Sequence, residues 1–235
     1  MINHGEYENN VFEEKVVPYL KPLVDNHTGE VHKVELDKYK LYCINGGKFG
    51  NGAFYRTYNP IVNGGLFGEN ALQQSMSAVI NGGRFENGAL YSSKDITITG
   101  GEFEDRAIQN CENVIISGGI FGLPNKFKQG LSLDRSRDVY AFLPDENSGF
   151  EGLEKPESGI IVARNIKDFY CGYIWEKCDP LKLRIYAVNF QDNKDTKIIQ
   201  RIEQETLEKI KRIIQSKGGD IKTGLEKAVG FAGIL

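Results

Sequence analysis

Five Gly-Gly pairs begin at Gly46, Gly64, Gly82, Gly100 and Gly118, each 18 residues after the one before. Other residues recur at the same interval. Phenylalanine stands at Phe49, Phe67, Phe85, Phe103 and Phe121, and alanine at Ala53, Ala71, Ala89 and Ala107. A larger apolar residue follows at Phe54, Leu72, Leu90 and Ile108, and a small one at Thr57, Ser75, Ser93 and Cys111. Ile44, Val62, Ile80, Ile98 and Ile116 precede the glycines by two positions. Columns held in one register over this length are the signature of a repeat architecture.

The period has a physical reading. Ile96-Thr97-Ile98-Thr99 and Val114-Ile115-Ile116-Ser117 alternate as short strands. Gly-Gly breaks each strand and lets the chain turn. Phe then re-enters the core, the Ala and its apolar neighbour form a further side, and a polar segment returns the chain. Each 18-residue unit makes one rung, and like side chains stack on the rungs above and below, about 4.8 Å apart. The chain is expected to be mainly β, a parallel β-solenoid whose core is a set of side-chain ladders. Asn45, Asn63 and Asn81 are expected to form an amide ladder along it.

These columns resemble the right-handed parallel β-helix proteins, in particular uncharacterised bacterial members, over about Tyr42 to Pro124. The resemblance implies a fold and not a function, because such helices host lyases, hydrolases, adhesins and inert scaffolds. An 18-residue rung also suits the left-handed hexapeptide helix of acyltransferases. The hexapeptide phase through Phe49 lacks the Ile-Gly pattern, however, and His4, His27 and His32 all precede the repeats.

Residues 1–41 read as an N-terminal cap, 42–143 as the parallel β-helix, 144–158 as a linker and 159–235 as a small α+β C-terminal domain. In the last, a helix is expected from Asp195 to about Lys217, ended by Gly218-Gly219, with Ile199, Ile202, Thr206, Ile210 and Ile213 as its apolar stripe.

Lys+Arg is 29 and Asp+Glu 32, a net charge of −3. That balance speaks against a nucleic-acid binder or a polybasic membrane surface. No signal segment or membrane span is read from the sequence, so a cytoplasmic setting, in a bacterial or phage-infected cell, is expected. Cys43, Cys111, Cys171 and Cys178 have neither zinc nor redox spacing and are expected to be reduced. No phosphate loop, nucleophile elbow or metalloprotease motif is present, so no cofactor and no metal is expected. Gly218 to Gly224 is phosphate-loop-like only superficially.

Three sets of residues are candidate sites. If Ile44 and its column face inward, Cys43, Ile61, Val79, Thr97 and Ile115 face outward. That stripe would be covered by the C-terminal part or would serve self-association or a protein partner. Glu86, Glu104 and Asp105 would gather on one edge, where paired carboxylates can hydrolyse a glycosidic bond or hold a cation. Tyr55 and Tyr91, alternating with Gln73 and Gln109, could bind sugar rings. The leading expectation is a non-enzymatic protein-binding module, in the manner of a phage or bacterial inhibitor of a host protein, using Ile61, Val79, Ile115, Tyr55 and Tyr91. The alternatives are a carbohydrate-binding or carbohydrate-active β-helix using the carboxylate edge, and an oligomeric fibre or adhesin fragment.

Overall fold

A computed structural model describes residues 2, 5–7, 22–24, 31–33, 42–104, 106–121, 131–146, 149–150, 152–167, 169–170, 181–191, 198–216 and 220–231. The chain is mainly β, a parallel β-solenoid with a small α+β C-terminal part. A continuous 16-stranded sheet winds along it. One ribbon carries the aliphatic strands, such as Lys94–Ile98 and Glu112–Ile116, and the other the phenylalanine strands, such as Glu102–Phe103 and Ile120–Phe121. The ribbons meet in Gly159–Ile166, a strand long enough to pair with both Arg137–Leu143 and Gly149–Phe150.

The repeated residues stack as the period requires. Phe67, Phe85, Phe103 and Phe121 lie face to face with centroids 4.7, 4.8 and 4.9 Å apart and planes within 8° of parallel. Each is at most 1% exposed. Full burial of such a ring contributes about 1.5–3 kcal/mol, and a well-placed aromatic pair adds about 0.5–1.5 kcal/mol. The stack loosens at Phe150, tilted 36° and 5.7 Å from Phe121, where the regular period has ended.

A second ladder is polar and buried. Thr57 Oγ1 donates to the Phe54 carbonyl at 3.0 Å, Ser93 Oγ to that of Leu72 at 3.0 Å, and Ser136 Oγ to that of Ile108 at 2.9 Å. Cys111 takes the same place, its Sγ 3.0 Å from the Leu90 carbonyl oxygen. A small residue recurs here because only a short donor both fits the corner and bonds a carbonyl that the turn leaves buried.

The two glycines of each pair answer different constraints. Gly101 has φ +109°, which side chains resist. Gly100 has no such φ, but a Cβ there would lie 2.5 Å from the Asn81 carbonyl oxygen on the adjacent rung. Two further corners are left-handed without glycine, and a third alternates Gly52 and Gly88 with Asn70 and Arg106. Arg56, Gln74, Ser92, Asn110 and Arg135 have φ of 57–59°, and Asn59, Ser77, Asp95, Asn113 and Asp138 have φ of 52–56°.

The solenoid runs beyond the 18-residue register at both ends. Ile2 bridges Ile44, and Glu6–Tyr7 pairs with Lys48–Phe49, so the first described residues lie on the edge of the Tyr42–Ile44 and Lys48–Phe49 strands. Pro22–Val24 and Val31–Lys33 form an antiparallel pair within the stretch expected to be a cap. At the other end, the stretch expected as a linker carries Gly149–Phe150 and Leu153–Glu154. Gly159–Ile166, Leu183–Phe190 and Ile199–Arg201 join the same sheet in parallel.

The long helix starts later than the sequence predicts. Ile199–Arg201 is a strand on Leu183–Phe190, and the helix α1 runs Gln204–Ser216; Asp195 lies outside the described residues. The isoleucines there suit either element, and pairing covers an otherwise open strand edge. A second helix, α2 (Ile221–Phe231), follows. Asp220 caps it, its Oδ2 accepting from Thr223 Oγ1 at 2.7 Å and its carbonyl from Gly224 N–H at 2.7 Å. Leu207, Ile210, Ile214, Leu225, Ala228 and Val229 pack on Tyr140, Phe142, Ile160, Val162 and Tyr186 of the sheet. Arg164 ties α1 to the sheet, donating through Nη1 to Gln204 Oε1 at 2.8 Å and through Nε to the Pro144 carbonyl at 2.7 Å.

Candidate functional site

Strand register builds the outward column. Cys43, Ile61, Val79, Thr97 and Ile115 stand side by side on successive rungs, and the column continues through Tyr140, Ile160 and Arg184. Next to it runs a second outward column. It begins as a bonded polar ladder: Asn63 Nδ2 donates to Asn45 Oδ1 at 2.8 Å, Asn81 Nδ2 to Asn63 Oδ1 at 2.9 Å and Thr99 Oγ1 to Asn81 Oδ1 at 2.7 Å. From Phe142 onwards it is apolar, with Val162 and Tyr186. The change of character marks where the helices sit. Their cluster takes in Tyr140 and Ile160 but not Ile61, Val79, Thr97 or Ile115, which are half-buried. Burial beneath the helices pushes the Tyr140 hydroxyl up to about 12, and Lys222 Nζ lies 4.9 Å from its ring centroid.

Tyr55 and Tyr91 share a column but not a contact, because Gln73 stands on the rung between them. Tyr55 donates to Gln74 Oε1 at 3.0 Å, and Arg56 Nε donates to the same oxygen at 2.8 Å. The Arg56 guanidinium carbon is 5.0 Å from the Tyr55 ring centroid.

The acidic edge divides. Glu104 Oε1 pairs with Arg84 Nη2 at 3.3 Å, Glu86 is exposed, and Asp105 lies outside the described residues. Glu86, Arg84, Lys48, Leu66 and Asn51 line a hollow of about 440 Å³. The hollow exists because Gly50 and Gly68 hold the column that Glu86 and Glu104 fill on later rungs. Lys48 pairs with Glu6 at 2.8 Å. That hydrogen-bonded pair lowers the Glu6 carboxyl and raises the Lys48 ammonium from their ordinary values.

Cys43 and Cys111 are free thiols; Cys171 and Cys178 lie outside the described residues. Burial pushes the Cys111 thiol up to about 12, the opposite of a reactive nucleophile. Among the described residues no cluster of His, Cys, Asp and Glu is arranged to hold a metal, and no helix is long and apolar enough to cross a membrane.

The structure also brings forward residues that sequence reasoning passed over. Tyr58 and Met76 pair across adjacent rungs and are 36% and 37% exposed. Both lie in the 18-residue register, one position after the small-residue column, so the signal was present in the spacing. No family model, curated protein or solved structure matches this chain.

Proposed function

We propose that this chain is a non-enzymatic protein-binding module, a rigid solenoid whose outward face engages a partner protein or a second copy. The observation that carries the reading is the Ile61–Val79–Thr97–Ile115 column. It is continuous in register with Tyr140 and Ile160, which α1 and α2 cover, and it runs on beyond the helices. A short rigid β-scaffold supports this role, because interfaces on rigid elements cost little ordering entropy on binding. An inhibitor of a host enzyme, bacterial or phage-encoded, is one form the module takes under this reading. The test is affinity capture from the source organism with wild type and the surface variants Val79→Asp and Ile115→Asp. One stoichiometric protein lost in both variants is expected. Capture unchanged by either variant, or no protein at all, overturns the reading.

A second reading has one specific observation behind it, the hollow beside Glu86. Its mix of Lys48, Arg84, Glu86 and Asn51 offers donors and acceptors to a glycan. Neither Glu86 nor Glu104 is buried, so the pair lacks the dry setting of a glycosidase acid. Binding on a glycan array that Glu86→Gln abolishes would establish this reading; an array without binding would remove it. The helix that a fibre reading would place in a bundle turns its apolar side chains inward, where Leu207, Ile210 and Ile214 pack on the sheet.

A further inference from the structure

We propose that Tyr58, Met76 and Arg56 form the anchor site for an acidic-apolar segment of a partner protein, a short stretch carrying a large apolar side chain beside an Asp or Glu. The proposal rests on the protein-binding reading and names the chemistry of its partner.

The first observation is a change within one column. Tyr58, Met76 and Lys94 follow one another on successive rungs, and Lys94 is followed by Glu112 and Arg137. The later positions neutralise themselves: Lys94 Nζ lies 2.7 Å from Glu112 Oε2 and Arg137 Nε 3.4 Å from Glu157 Oε2. The first two positions, in the same register, are an aromatic and a thioether left in water. Leu66 and Ile120 are also exposed, but each stands alone, Leu66 between Lys48 and Arg84 and Ile120 between Glu102 and Gly149. Singly exposed apolar residues are ordinary, whereas adjacent ones call for a partner.

The second observation is the cation beside them. Arg56 is exposed, two positions before Tyr58. Gln74 and the Tyr55 ring hold its side chain in place. No carboxylate among the described residues pairs with it, unlike Lys48, Arg84, Lys94 and Arg137. A guanidinium steadied through Nε keeps its terminal N–H groups for a carboxylate. Tyr, Met and Arg are also the residues enriched in interface cores, and charge complementarity fixes the sign of what binds.

The experiment is selection of a displayed library of random 12-residue peptides on the intact chain, followed by affinities of the selected peptides. Enrichment of Asp or Glu next to Leu, Phe or Trp is expected. Met76→Asp and Tyr58→Asp should each weaken the selected peptides about tenfold or more. Arg56→Glu should weaken them similarly, and a repeat selection on it should enrich Lys and Arg instead, a reversal that general stickiness does not produce. Thermal melts matching wild type check that the variants fold. Peptides without acids, binding indifferent to Met76→Asp and Arg56→Glu, or no selected peptide overturns the proposal. If the selected peptides respond only to Val79→Asp, the anchor site falls while the protein-binding reading stands. If only glycans bind, both fall.

Discussion

Ile2 lies directly beside Ile44, its N–H donating to the Cys43 carbonyl at 2.9 Å and its carbonyl accepting from Asn45 N–H at 2.7 Å. Lys48 N–H likewise donates to the Gly5 carbonyl at 2.7 Å. Ile2-Asn3-His4-Gly5-Glu6-Tyr7 thus repeats Ile44-Asn45-Gly46-Gly47-Lys48-Phe49 in its apolar, Asn and Gly positions. Removing residues 1–7 should bare the Tyr42–Ile44 and Lys48–Phe49 edges. We expect a lower Tm and concentration-dependent association by light scattering. A truncated chain that melts like wild type and stays monodisperse would show that this rung is dispensable.

Gly100 and Gly101 should fail differently when replaced. Gly101→Ala meets a strained backbone, at a cost of about 1–3 kcal/mol. Gly100→Ala forces a Cβ against the Asn81 carbonyl, an overpacking cost of about 1–3 kcal/mol. The discriminating variant is D-alanine, whose mirror-image chirality favours positive φ. D-alanine at position 101 should recover part of the loss in urea melts, and at position 100 none. Equal recovery at both sites would contradict the separate roles.

Much of this fold was legible because the core columns keep an 18-residue register, and stacked like residues leave that mark directly. The remaining rungs hide in the spacing. Ile2 precedes Ile44 by 42 positions, and Ile116, Ala141, Ile161 and Ile185 are separated by 25, 20 and 24. Stacking constrains the position of a rung in space and not the length of the loop that returns to it. The left-handed corners were invisible for another reason. Arg56, Gln74, Ser92, Asn110 and Arg135 share a conformation without sharing chemistry, because bonds between rungs hold the backbone whatever the side chain. Helix α2 was missed because Gly224 and Gly230 blur its stripe, although Asp220 and Thr223 give a fair cap signal. At the candidate site, Ile61, Val79 and Ile115 follow from alternation alone. Met76 and Arg56 needed the structure, because exposure and pairing decide their meaning.

Asp220 should make α2 sensitive to acid. The Thr223 hydroxyl bonds its carboxylate and holds the pKa below the ordinary aspartate value. A carboxyl depressed in the folded state stabilises above its unfolded pKa, and that contribution fades as pH falls through the folded value. Asp220→Ala should cost about 1 kcal/mol at pH 7. The difference from wild type should shrink below about pH 4, where the unfolded carboxyl protonates. Urea midpoints at pH 7 and pH 3 measure it; a gap that widens in acid would contradict the cap.

Cys111 makes the opposite prediction in alkali. Its thiol stays protonated in the fold up to about 12, while an unfolded thiol ionises near 8.5. A raised folded pKa means stability is complete below the unfolded value and is lost as pH rises between the two. Serine occupies the same place on neighbouring rungs at Ser75, Ser93 and Ser136. Cys111→Ser should therefore be nearly neutral at pH 7 and should flatten the decline from pH 8.5 to 10.5. Native protein should also resist alkylation at Cys111 and react there only in denaturant.

The protein-binding account is tested most directly by a photoreactive amino acid placed at position 79, with the same group at position 102 on the other ribbon as control, in cells of the source organism. The account predicts one protein cross-linked through position 79, as a partner or a second copy, and little through position 102. No cross-linked protein at 79, or equal cross-linking from both ribbons, would contradict it.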